Sequence, residues 1–194
     1  MREAIARLET GGLVTKVWGV GTFVSEPAPQ VGFGFLSLRT GIPGILETTG
    51  GEVTVRRFEA VDQPPQAAMF PDFSEAATVS AVRVFGLDGV PVVSIQDRMV
   101  AEFGGRRLDL DPLRSAEGRL PDLLRHIGLE LQCIELDVSA SDLDADGQTL
   151  FELSSPEPVI QTAGDGYDTE GRRILITHVM YRTRIMGLRV TASS

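Results

Sequence analysis

The chain has 194 residues, 42% of them hydrophobic and 23% charged, with a formal net charge of −9 and one cysteine. That composition suits one sizeable globular core, and it excludes disordered, fibrous and disulfide-stapled classes. No apolar run approaches the roughly 20 residues of a membrane-spanning helix, and no basic stretch followed by an apolar one opens the chain, so a soluble, cytoplasmic protein without membrane contact is expected. Residues 1–27 balance Arg2, Arg7 and Lys16 against Glu3, Glu9 and Glu26, which leaves the whole deficit downstream. The bulk of the chain should therefore repel nucleic acid.

Ala4, Ile5 and Leu8 recur at helical spacing and Gly11-Gly12 closes the stretch, which predicts one short helix. Two β-prone runs, residues 14–18 and 22–24, flank Gly19-Val20-Gly21 and predict a hairpin. Two prolines in SEPAPQ, residues 25–30, read as a linker and place a domain boundary near residue 27. Residues 53–61 predict a strand, and residues 78–85 and 92–100 a long hairpin about Asp88-Gly89. PDLLRHIG, residues 121–128, has proline near its start and glycine past its end, as a compact helix requires. A strand over 129–138 follows; Cys133 within it, in LELQCIEL, reads as an inert, buried hydrophobe. SDLDADGQTLFEL offers N-capping side chains and then Leu143, Leu150 and Phe151 for one helical face, weakened by Gly147. Residues 159–167 and 173–190 close the chain as two strands joined at DTEG. Sequential hairpins with helices laid on one side make an antiparallel α+β domain.

The stretch REAIARLETGGLVTKVWGVGTFV resembles the recognition helix and wing of GntR-family transcription regulators, whose wing ends G-x-G-T-F-V. RVFGLDGVPV, LLRHIGLEL, ASDLDADGQTLFEL and YDTEGRRILITHVMYRTR resemble, in order and spacing, the UTRA effector-binding domain of the HutC subfamily. The resemblance implies an antiparallel sheet flanked by helices, similar to chorismate lyase, over residues 28–194, preceded by a partial winged helix over residues 1–27. It also implies a small-molecule effector, a homodimer and no enzymatic activity or cofactor. Two helices that precede the recognition helix in the family have no counterpart ahead of it here, and without them its apolar face lacks a core. DNA binding, through Arg2, Lys16, Gly19 and Gly21, is thus expected only where those helices are supplied. Lys16 is the only lysine, and Val20 stands where family wings carry a basic residue.

The resemblance places the effector against Arg83, Phe85, Gln96, Leu120, Leu175, Thr177 and Tyr181. The family's pocket opens with two arginines two apart, on one face of a strand; here Arg83 keeps the first position and Phe85 replaces the second. Gly118-Arg119-Leu120 stands where phosphate-binding members carry Ser-Leu-Tyr, and Leu175 stands where a glutamate precedes the Tyr181-Arg182 pair. With four polar grips replaced, a sugar phosphate is disfavoured, and a rather apolar organic acid held by Arg83 is expected. A cleft filled by its own side chains is the alternative.

Two further patterns are weaker than they look. DLDADG resembles the opening of a calcium loop, but the closing glutamate falls one position short, at Glu152 instead of residue 153. His126 and His178 stand far apart without a cysteine cluster, and Ser94 and Cys133 have no adjacent base, so neither a metal site nor a nucleophile is expected. Two other readings stay open: a chorismate-lyase-like enzyme acting on a small aromatic acid, and a DNA-silent partner that dimerises with full-length regulators.

Overall fold

A computed structural model describes residues 14–17, 21–24, 33–35, 51–185 and 187–189. β1 (Val14–Val17) and β2 (Gly21–Val24) pair antiparallel, with Lys16 opposite Thr22. The expected first helix, the linker, Arg2 and Gly19 lie outside the described residues. β3 (Phe33–Phe35) pairs in parallel with the strand formed near the C-terminus by Gly187–Arg189.

The body is a six-stranded antiparallel sheet made of two three-stranded meanders. β4 (Val53–Gln63), β5 (Thr78–Leu87) and β6 (Val90–Val100) form the first. After the short pair β7 (Glu102–Phe103) and β8 (Arg106–Arg107), the second follows as β9 (Leu131–Asp142), β10 (Pro158–Asp168) and β11 (Arg173–Arg182), and β6 joins β11 at the centre. The Asp88-Gly89 turn between β5 and β6 has φ of 48° and 78°, the doubly positive geometry that matches strand twist in a tight hairpin. Asp88 also accepts the Glu52 amide at 2.9 Å. The last strand was expected to run to residue 190. It stops at Arg182, where a turn closed by the Ile185 amide on the Arg182 carbonyl leads into β12 (Gly187–Arg189).

Cross-strand register assigns every side chain to a face. Val79, Ala81, Arg83 and Phe85 of β5 share the first face with Ile95, Asp97, Leu175, Thr177, Val179 and Tyr181. Val84, Ser94, Gln96, His178 and Met180 point to the second. α1 (Leu120–His126) covers the first face: Leu113, Leu120 and Leu124 pack with Val79, Ala81, Met99 and Leu175. Gly128, with φ of 93°, ends this helix as its sequence predicts. α2 (Ala145–Leu150) covers the second face, where Leu143 and Phe151 pack with Val159 and Met180. Helices were expected on one side; they lie on both, because β11 is apolar on each face, with Ile174 and Met180 as deeply buried as Leu175 and Val179. No helix among the described residues is long and apolar enough to cross a membrane.

Two local readings need revision or refinement. Cys133 is exposed, not buried. β9 is an edge strand whose alternation turns Ile134 and Leu136 inward and Cys133 and Glu135 out to solvent. The DLDADG segment splits between elements: Asp142 ends β9, Asp144 caps α2 by accepting the Gly147 amide at 2.8 Å, and Asp146 lies in the first helical turn. Those oxygens do not converge as a calcium loop's would.

Candidate effector site

The centre of the first face holds a buried polar group inside an otherwise apolar layer. Arg83, 6% exposed, sends Nη2 to Asp97 Oδ2 at 3.2 Å, and the Thr177 hydroxyl donates to Asp97 Oδ1 at 2.7 Å. Arg83 Nη1 reaches back to the Gly118 carbonyl at 3.5 Å, and the guanidinium lies 5.5 Å from the centroid of the Phe85 ring. Gly118 belongs there because a Cβ would stand 2.0 Å from the Pro112 carbonyl oxygen. The chain just before α1 is thereby pressed onto the arginine.

Among the described residues Arg83 Nε on this face has no partner, and the buried Thr162 and Tyr181 hydroxyls have at most each other. A donor or acceptor left so in a dry interior costs about 1–3 kcal/mol. Most such atoms in a folded protein are satisfied, so their grouping on one face marks either a strain reservoir or a place for a ligand. Burial pushes the Tyr181 phenol up to about 12, with the nearby Thr162 hydroxyl working against the shift. The phenol is therefore neutral at physiological pH and able to donate a hydrogen bond.

Of the seven residues expected around an effector, Arg83, Phe85, Leu175, Thr177 and Tyr181 share the first face. Leu120 opens α1 and packs beneath it in the apolar cluster with Val79 and Met99. Gln96 is the exception, because it stands opposite Val82 and His178 on the second face. One residue of strand parity separates it from the first face. Arg83, expected to be free for a carboxylate, is already paired with Asp97. Sequence reasoning missed Asp97 and Thr162. A lone acid amid the apolar run of β6 was a usable sign for the first; nothing local marks the second.

The remaining polar candidates lie elsewhere. His178 Nε2 meets Gln161 Oε1 at 3.0 Å on the second face, and His126 Nδ1 meets the Asp122 carbonyl at 2.7 Å within α1. Among the described residues no three His, Cys, Asp or Glu side chains are placed to hold a metal ion. A separate cavity of about 310 Å³ lies between β4 and residues 107–114, lined in part by Phe58, Val79, Leu110 and Arg114. Its arginines are engaged, Arg107 with Asp62 and Arg114 with Asp111.

Solved structures share this architecture at low sequence identity. PhnF from Mycobacterium smegmatis is 18% identical with a TM-score of 0.67, covering 100% of this chain and 84% of that one. The possible transcriptional regulator YydK from Bacillus subtilis is 16% identical with a TM-score of 0.68, covering 100% and 82%. The ligand-binding domain of a Bordetella bronchiseptica protein assigned to the GntR family of transcriptional regulators is 16% identical with a TM-score of 0.59, covering 74% and 91%. No curated protein sequence matches the chain. Residues 51–186, which hold the whole six-stranded sheet and both helices, match the UTRA domain, and the chain belongs to that family.

Proposed function

We propose that the chain is the ligand-sensing portion of a GntR-type transcription regulator of the HutC kind, working as a cytoplasmic homodimer. Residues 28–194 form the sensor, and residues 1–27, with the β1–β2 hairpin, are the back of a winged helix. The observation that carries this reading is the set formed by the unpartnered Arg83 Nε and the buried Thr162–Tyr181 hydroxyl pair on the first face of a UTRA sheet. A small, rather apolar effector that supplies partners to them would recover hydrogen bonds the free protein lacks. Binding would tighten the link from Arg83 through Gly118 to α1, shifting the population of sensor conformations. DNA contact, through Lys16 and Gly21 of the hairpin and through Arg2 and Gly19, requires the two further helices of a complete winged helix.

A thermal-shift screen of small metabolites, repeated on Thr162→Val and Tyr181→Phe, tests this. A compound that raises the melting temperature of the wild-type chain and loses at least tenfold in affinity on both variants is expected. Compounds that bind equally well to all three chains would place the sensor site elsewhere.

A further inference from the structure

The charge balance of this site narrows what it can hold, on the reading that the chain is a ligand sensor. Arg83 is the cation at its centre, and Asp97 already neutralises it. Asp97 is 3% exposed and fixed from a second side by Thr177, so it is part of the fold and not a passing counter-ion. A guanidinium grips an anion through two parallel N–H groups, either Nε with Nη2 or Nη1 with Nη2. Asp97 takes one N–H of Nη2 and the Gly118 carbonyl one of Nη1. Nε is the one nitrogen of the guanidinium without a partner. An anion entering here would bring a second negative charge beside a buried carboxylate that already balances the guanidinium, which a poorly hydrated site does not tolerate.

The buried hydroxyls lie across the sheet. Arg83 pairs with Ile95, Ile95 with Val179, and Val179 with Thr162, so Arg83 and Thr162 end a row three strand spacings long, roughly 14 Å between backbones. Tyr181 sits one step along β11 from this row, on the same face as Thr162. The unpartnered Arg83 Nε therefore stands at one end, two hydroxyls stand at the other, and Ile95 and Val179 lie between them. We infer that the effector of this chain is an uncharged molecule, bearing a hydrogen-bond acceptor at the Arg83 end, hydroxyl or amide groups at the Thr162–Tyr181 end, and an apolar middle. This departs from the acid expected from the bare sequence, and the difference is Asp97.

The inference can be tested before any effector is known, by using inorganic phosphate and benzoate as probes. Wild-type, Asp97→Asn and Asp97→Asn/Arg83→Met chains are titrated by calorimetry and thermal shift at fixed ionic strength. The wild-type chain should show no Arg83-dependent binding of either anion. Asp97→Asn, which leaves the guanidinium unbalanced, should bind at least one of them tenfold more tightly than wild type, and the double variant should lose that gain. If Asp97→Asn is unfolded in dilute buffer, phosphate or benzoate should restore its far-ultraviolet circular dichroism; no restoration overturns the inference. So does wild-type anion binding that is abolished by Arg83→Met, or an Asp97→Asn chain that gains nothing. An anion gain in Asp97→Asn combined with no wild-type response to any uncharged metabolite would count against the sensing reading and leave the charge assignment standing.

Discussion

Arg83 and Arg182 are both buried and both paired with a carboxylate, yet they are finished to different degrees. Arg182 holds Glu157 through Nε and Nη2 and donates Nη1 to the Pro91 carbonyl at 2.8 Å, so all three nitrogens are engaged. Arg83 has one firm partner in Asp97, a long contact to Gly118 and an idle Nε. Arg182 lies on the second face and ties the end of β11 to the β5–β6 hairpin; Arg83 lies on the first, the face that also carries the buried Thr162 and Tyr181 hydroxyls. Where folding alone has shaped a buried charge, its valences are filled. The half-filled one, Arg83, is where the proposed effector would supply a partner.

The comparison can be broken most forcefully at Arg182. Arg182→Met should lose about 3–5 kcal/mol in urea unfolding, because it strands Glu157 in the interior. The hydrogen bond from Arg182 holds the Glu157 carboxyl below its ordinary 4.5, against the opposing effect of burial. This pair's stabilisation is thus present above pH 4.5 and lost as pH falls through the lowered folded value. A loss under 1 kcal/mol would remove the distinction between brace and site.

Next in size is the alkaline response of Tyr181. Its folded pKa of about 12 lies above the ordinary 10, so its contribution is complete below pH 10 and disappears as pH rises towards 12. Wild type should lose up to about 3 kcal/mol relative to Tyr181→Phe across that interval. Parallel pH profiles would show that the hydroxyl is wet and that the first face is not sealed. Gly118→Ala comes third, at about 1–3 kcal/mol, since its Cβ would collide with backbone at Pro112 and not with a yielding side chain. The smallest effect belongs to Ser94, whose hydroxyl is buried on the second face without a partner. Ser94→Ala should be neutral or gain up to about 1 kcal/mol without touching effector binding, whereas Thr162→Val should bind less.

How much of this was legible in sequence depended on range. The β5–β6 hairpin was readable because Asp88-Gly89 is a local turn that sets its own register, and α1 because its proline and glycine bracket it. Arg83 and Asp97 are diagonal neighbours on one face in that same register, so their pairing was within reach once the turn was placed. Gln96 lies on the second face and its neighbour Asp97 on the first, because in a strand one residue reverses the face. The Thr177–Asp97 bond spans 80 residues and depends on how the two meanders join, which no local pattern encodes. The same join makes β11 central and apolar on both sides, and so sends α2 to the face opposite α1.

The most direct test of the account is nitrogen-15 NMR of the arginine Nε–H groups during titration with a compound that stabilises the chain. The Arg83 Nε–H should shift and gain protection from exchange with solvent, while the Arg182 Nε–H, already held by Glu157, stays where it was. Stabilisation that leaves the Arg83 signal unmoved, or that moves Arg182 instead, would contradict the assignment of the effector site to the first face of the sheet.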